Sequence, residues 1–296
     1  MQLLPYRKMN LQTAITPTSK QQITSRPWGQ WSIRSIALGY LAIMLIIPLF
    51  VILQDGFREG LAEFWRQVTL PIAWHALELT LWTAAVMTVI NTIMGTLTAF
   101  VLVRYNFPGK TILNGIIDLP LAIPTLVTGV MLVILFGPQE ALGSWLKEQF
   151  DFSVIFAPPG IILALLFLTF PFVVRSVQPV LMELDRAQER AAATLGAEGW
   201  TIFQRIILPP LTLPVITGAL LSFARAIGEF GSIVIVAGNI PFRSLTAAVY
   251  VLGEVESENR LGASAVSIVM VAIAFSLLMF ADYLRKRSKS SKRETV

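Results

Sequence analysis

The chain has 296 residues, 55% of them hydrophobic and only 14% charged, and its mean hydropathy is +0.68. A soluble domain carries about a quarter charged residues because it must keep a hydrated surface, so most of this chain is solvated by lipid. With no cysteine and a single histidine, His75, the composition excludes disulfides, thiolate metal sites, a cysteine nucleophile and a multi-histidine zinc site.

The amino-terminal stretch 1–35 is Gln/Thr/Ser-rich and expected to be disordered. It carries Arg7, Lys8, Lys20, Arg26 and Arg34 and no acid. A cleaved signal peptide is not expected, because the first apolar run begins only after this tail. Six segments then approach the roughly 20 apolar residues that cross a bilayer as a helix. They are Ile36–Leu53, Leu77–Val103, Leu113–Phe136, Gly160–Val174, Leu213–Val236 and Gly262–Tyr283. The third is interrupted by Asp118, Pro120 and Pro124, and reads as a broken helix. The fourth is short and is expected to recruit residues on either side. A basic tail, 285–296, closes the chain.

Lys and Arg accumulate on the cytoplasmic side of membrane proteins, so both basic ends are expected there, which requires an even number of spans. The loops agree. Arg104 and Lys110 fall in one inside loop, and Arg175, Arg186, Arg190 and Arg205 in the other, while Glu59, Glu63, Glu148 and Glu256 fall outside. The expectation is an all-α membrane protein: a permease domain of six transmembrane helices over 36–284, with both termini cytoplasmic. Trp65, Trp74 and Trp145 suit an interfacial aromatic belt.

Between the fourth and fifth spans lies a long cytoplasmic loop, about 175–211. Its Glu189-Arg190-Ala191-Ala192-Ala193-Thr194-Leu195-Gly196 run favours helix up to Gly196, a natural C-terminal stop. A second short helix is expected to run to about Ile207 and to be ended by Pro209 and Pro210. This helix–glycine–helix element resembles the EAA loop of ABC importer permeases: E-A-A, a glycine six residues after the Glu, then I-x-L-P. Ala191, Ala192, Gly196, Ile206, Leu208 and Pro209 occupy matching positions. The consensus Glu is replaced by Arg190, with Glu189 just before it.

Further stretches resemble sulfate/thiosulfate permeases. These are Asp118-Leu119-Pro120, Phe172-Val173-Val174-Arg175, Gln178-Pro179-Val180 and Arg225-Ala226-Ile227-Gly228-Glu229-Phe230-Gly231. Molybdate permeases share much of the last one. The resemblance spans roughly Trp31–Tyr283 and implies a type I ABC importer permease fold in which the EAA loop is the coupling helix. It implies a second homologous permease as partner, two copies of an ABC ATPase that hold the ATP and Mg, and a periplasmic sulfate-binding protein. It places the chain in a bacterial inner membrane or a plastid membrane, with no cofactor of its own and no nucleic-acid partner.

Arg225 and Glu229 fall near the middle of the expected fifth span, four apart and able to pair. Charge there costs about 2.5–3.5 kcal/mol on insertion scales. The pair either lines the translocation route or permease seam, or fixes bundle packing. Asp118 is either part of a gate on that route or a headgroup-level aspartate beside a kink.

Other chemistry is excluded. Gly109-Lys110-Thr111 imitates the end of a P-loop, but Arg104 stands where the earlier glycine is required, so this chain is not expected to hydrolyse ATP. An ion-driven secondary transporter would carry midplane carboxylates on several helices. A membrane enzyme would need a cluster of His, Cys or paired acids. A molybdate or tungstate importer of the same class is the competing reading.

Overall fold

The computed structural model describes residues 27–294, with side chains from Trp31 to Lys286, and the ordered elements in it are helices. The chain divides into two units, Met1–Leu49 and Phe50–Val296. From the first, helix α1 (Pro27–Leu41) passes through a π-helical turn (Ala42–Ile46) into α2 (Ile47–Gly56), which from Phe50 onward belongs to the second. Trp31–Gly56 is thus one apolar helix long enough to cross a membrane. It begins at Pro27, earlier than Ile36, so part of the expected disordered tail is helical. Arg7, Lys8, Lys20 and Arg26 lie outside the described residues.

The second unit continues with α3 (Leu61–Val68), α4 (Pro71–Arg104), α5 (Lys110–Ala122), α6 (Thr125–Phe136) and α7 (Ala141–Phe150). Then come α8 (Pro158–Glu183), α9 (Arg186–Thr194) and α10 (Gly199–Ile202). A second π-helical turn (Phe203–Ile207) leads into α11 (Leu208–Ile227). The last elements are α12 (Gly231–Val236), α13 (Ala247–Glu256) and α14 (Arg260–Glu294). Five helices are long and apolar enough to span: Trp31–Gly56, Pro71–Arg104, Pro158–Glu183, Gly199–Ile227 and Arg260–Lys286.

The third expected span is α5 plus α6, bent by 109°. Ile123 is extended (φ −81°, ψ 130°) because the ring of Pro124 disfavours helix at the residue before it, and Pro124 has no N–H with which to continue the ladder. The fourth span recruits both neighbours, as its short apolar run requires. The fifth differs from expectation. Rather than running unbroken from Leu213 to Val236, its helix starts at Gly199, ends at Ile227, and resumes as α12 only at Gly231.

At the centre of this unit α8 packs against both α4 and α11, and small residues set the approach. A Cβ on Gly95 of α4 would lie 2.9 Å from Val173 Cβ, and one on Gly218 of α11 would lie 3.0 Å from Val173 Cα. One apolar core, including Leu77, Met87, Leu165, Ile227, Val249 and Val266, joins α3, α4, α8, α11, α13 and α14. A second core, Ala99, Leu102, Ile117, Val174, Leu181, Ile207 and Leu211, gathers the far ends of α4, α5, α8 and α11. Asn91 Nδ2 donates to Leu166 O (3.1 Å) and Thr169 Oγ1 (2.9 Å), tying α4 to α8.

Candidate functional site

The loop between α8 and α11 is built by local rules. Asp185 caps α9, its Oδ1 accepting from Ala187 N at 2.8 Å. At the other end Gly196 has φ +85°, its N–H reaches Ala193 O (3.0 Å), and Ala197 N–H reaches Ala192 O (3.0 Å). This pair of bonds is the Schellman arrangement, and it needs a residue at ease in the left-handed region. Gly196 therefore stops α9 as its sequence position implies.

Pro209 and Pro210 do not stop the second helix. The π-helical turn before them shifts the register, with Leu208 N–H bonding Phe203 O, and the prolines sit in the first turn of α11. A widened turn relieves the clash between a proline ring and the carbonyl one turn back, so the helix passes through. Gly199–Ile227 is consequently one 29-residue helical path.

The loop is anchored to α4. Arg104, whose side chain is only 8% exposed, pairs with Glu189, and Arg186 Nη2 donates to Val103 O at 2.9 Å. Apolar side chains of the loop stay open: Ala191 and Ala193 are exposed, and Leu195 and Trp200 are 89% and 65% exposed. Trp200 stacks on Phe203 (5.6 Å, 19°), which meets Phe100 of α4 edge-on at 6.1 Å. Arg190 is exposed and makes no ion pair among the described residues. Ala192 and Ile206 are half-buried, and Leu208 and Pro209 are exposed. Arg104 is the member that the sequence pattern does not mark.

Asp118 is held by Arg175, which lies in the interior of α8 rather than in an inside loop as expected. Arg175 Nε and Nη2 donate to the two carboxylate oxygens at 2.7 and 2.6 Å. Nη2 also reaches Asn114 O (2.7 Å), and Nη1 reaches Asn114 Oδ1 (2.8 Å) and Gln178 Oε1. All five guanidinium N–H groups are engaged, and the cluster fastens α5 to α8.

Arg225 and Glu229 pair as their spacing suggests, Nη2 to Oε2 at 2.7 Å, but at a break in the helix rather than in mid-span. Arg225 is in the last turn of α11 and Glu229 in the non-helical link. Glu229 is 2% exposed, and its Oε1 accepts from Ser232 N and Ser232 Oγ, each at 3.0 Å. The link abuts the start of α6. A Cβ on Gly129 would lie 2.8 Å from Ser232 O, and one on Gly231 would collide with Thr125 Oγ1. The two broken spans thus meet through glycines. Asp118 pairs with Arg175, Arg225 with Glu229, and the two pairs share no member.

Apolar spanning helices, a bent helix pair and an apolar helix–glycine–helix loop anchored beneath them define a multi-pass membrane transport subunit with the type I ABC importer permease fold. A chain of a bacterial alginate ABC transporter, solved in complex with an alginate pentasaccharide-bound periplasmic protein, has this fold (TM-score 0.73, 17% identity, 88% of this chain and 95% of that one). The chain belongs to the family described as binding-protein-dependent transport system inner membrane component, which matches residues 91–290. It is 42% identical over 261 residues to the probable sulfate transport system permease protein cysT of Chlorokybus atmophyticus, covering 88% of this chain and 89% of that one. It is 38% identical over 265 residues to the sulfate transport system permease protein CysT of Synechocystis sp., covering 90% of each.

Proposed function

We propose that this chain is the CysT-type permease of an ATP-driven importer of sulfate or thiosulfate. The observation that carries the substrate is its similarity, over most of its length, to relatives named as sulfate permeases. The observation that carries the coupling is the loop: an apolar, exposed face (Ala191, Leu195, Trp200) rigidly backed by Arg104 and Arg186.

In this reading two ATPase subunits, holding ATP and Mg, dock beneath this chain and a second homologous permease, and a sulfate-binding protein delivers cargo from the opposite side. Both termini and the α9 loop face the cytoplasm of a bacterial cell or the equivalent side of a plastid membrane. Closure of the ATPase dimer pushes α9. The push passes through the Arg104 ion pair to α4 and through Gly199–Ile227, about 43 Å of helix at 1.5 Å per residue, to Arg225. Interfaces of this kind switch between discrete packings, which turns a small displacement into a change of access. Arg225 and Glu229 lie on the route, and Asp118, spent on Arg175, braces it.

The test is uptake of radiolabelled sulfate by cells lacking this chain and cells complemented with it, with and without excess molybdate. Restored uptake that molybdate leaves unchanged supports sulfate. Normal uptake without the chain moves the cargo to molybdate.

A further inference from the structure

Arg175 and Arg225 both lie in apolar spanning helices, and they differ in how much of the guanidinium is committed. Arg175 spends every N–H on Asp118, Asn114 and Gln178. Arg225 makes one ion pair, from Nη2 to Glu229, and its other N–H groups have no partner among the described residues. Its side chain is 37% exposed while that of Glu229 is 2% exposed. Both oxygens of the carboxylate are engaged, since Ser232 N and Oγ donate to Oε1 and Arg225 to Oε2. The pair therefore shows its surroundings the cation and hides the anion.

What surrounds it follows from the backbone. Gly228–Phe230 leaves the helical ladder, and irregular backbone at membrane depth is found only where protein buries it or where it lines water. Gly228 is exposed, and a Cβ there would meet nothing within 4 Å. A groove of about 290 Å³ opens beside it; its lining is mostly apolar (Ile227, Val251, Met270, Val271) with Gly228 and Ser267, and does not include Arg225. A cation with free donors is disfavoured in lipid by its insertion cost, so this edge faces either the permease seam or an aqueous space.

We propose that Arg225 is the transit contact for a tetrahedral oxyanion. The planar fork of the guanidinium matches two oxygens of such an anion, and Glu229 on its other side lowers the net charge so that the anion is held weakly and released. Arg175 has no N–H to offer and takes no part. The proposal rests on the reading of this break as part of the translocation route.

The test uses the native absence of cysteine from this chain. Gly228→Cys and, separately, Phe230→Cys are introduced into the assembled complex in membrane vesicles. Each is treated with methanethiosulfonates bearing a sulfonate or a trimethylammonium group, and modification is read as a mass shift on this chain. With each rate divided by that reagent's rate on a small free thiol, the sulfonate reagent is expected to be favoured about fivefold, as one unit of charge nearby dictates at intermediate dielectric. The preference should vanish with Arg225→Gln and grow with Glu229→Gln, and millimolar sulfate should slow labelling only where Arg225 is present. Equal normalised rates for the two reagents overturn the anion contact and leave the aqueous route standing. If neither cysteine reacts with either reagent, the route itself is wrong and the proposal falls with it.

Discussion

Arg104 and Glu189, 85 residues apart in the chain, form an ion pair that joins the last turn of α4 to α9, the first helix of the loop between α8 and α11. Arg104 is almost wholly covered and Glu189 about four-fifths covered. Removing either partner leaves the other charge poorly hydrated, which is costlier than losing an exposed pair. Arg104→Ala and Glu189→Ala are expected to lower uptake severalfold while ATP hydrolysis by the complex persists. The exchange Arg104→Glu with Glu189→Arg is expected to recover much of the loss. Failure of the double variant alongside both singles would assign the two residues independent roles.

Gly196 carries the turn of the loop at φ +85° with open space around it, so a side chain there meets a conformational cost and no collision. Gly196→Ala is expected to cost about 1–2 kcal/mol locally, and Gly196→Asn less. Gly196→Pro removes the N–H that bonds Ala193 O and is expected to uncouple hydrolysis from uptake. Arg190 makes no ion pair among the described residues, and Arg190→Glu, which restores the family consensus, is expected to leave uptake intact. The ratio of sulfate imported to ATP hydrolysed in proteoliposomes decides all four.

What could be read from sequence and what could not divide along physical lines. Spans and the Gly196 turn are local properties, carried by runs of apolar residues and by one backbone conformation. The Arg104–Glu189 pair depends on two helices meeting and leaves no local trace. The break at Gly228 is invisible to hydropathy, since Leu213–Val236 is mostly apolar and carries no charge apart from Arg225 and Glu229. Its signal is the Gly-Glu-Phe-Gly run, a cap-like acid between glycines. Pro209 and Pro210 misled because their effect depends on the π-helical turn before them. Arg175 reads as a loop cation until α5 brings Asn114 and Asp118 to it.

The contact between the two broken spans has no room to spare. At Gly231 an added methyl would drive into Thr125 Oγ1, and at Gly129 it would press on the carbonyl of Ser232. Gly231→Ala and Gly129→Ala are expected to destabilise the subunit by about 1–3 kcal/mol, the usual cost of overpacking. Gly228→Ala, three residues from Gly231, is expected to be near neutral because its Cβ meets nothing. Thermal stability of the purified complex separates the three variants.

The Asp118–Arg175 cluster makes the opposite prediction to Arg225. Arg175 sits in the interior of α8 with its guanidinium fully bonded across to α5, so its value lies in holding the bent pair α5–α6 in place. Asp118→Asn keeps the shape and one acceptor oxygen, removes the neutralising charge, and leaves a cation in an apolar helix with weaker bonds. Each charge-assisted hydrogen bond lost there is worth about 1.5–3 kcal/mol, discounted because Asp118 is 48% and Arg175 29% exposed. The expected result is less assembled complex and a lower melting temperature, with the apparent KM for sulfate unchanged in the protein that remains. Arg175→Gln should behave alike, whereas Arg225→Gln combined with Glu229→Gln, which strands no buried charge, should keep the assembled amount and lose transport. A raised KM in Asp118→Asn at normal abundance would place this cluster on the anion's path instead.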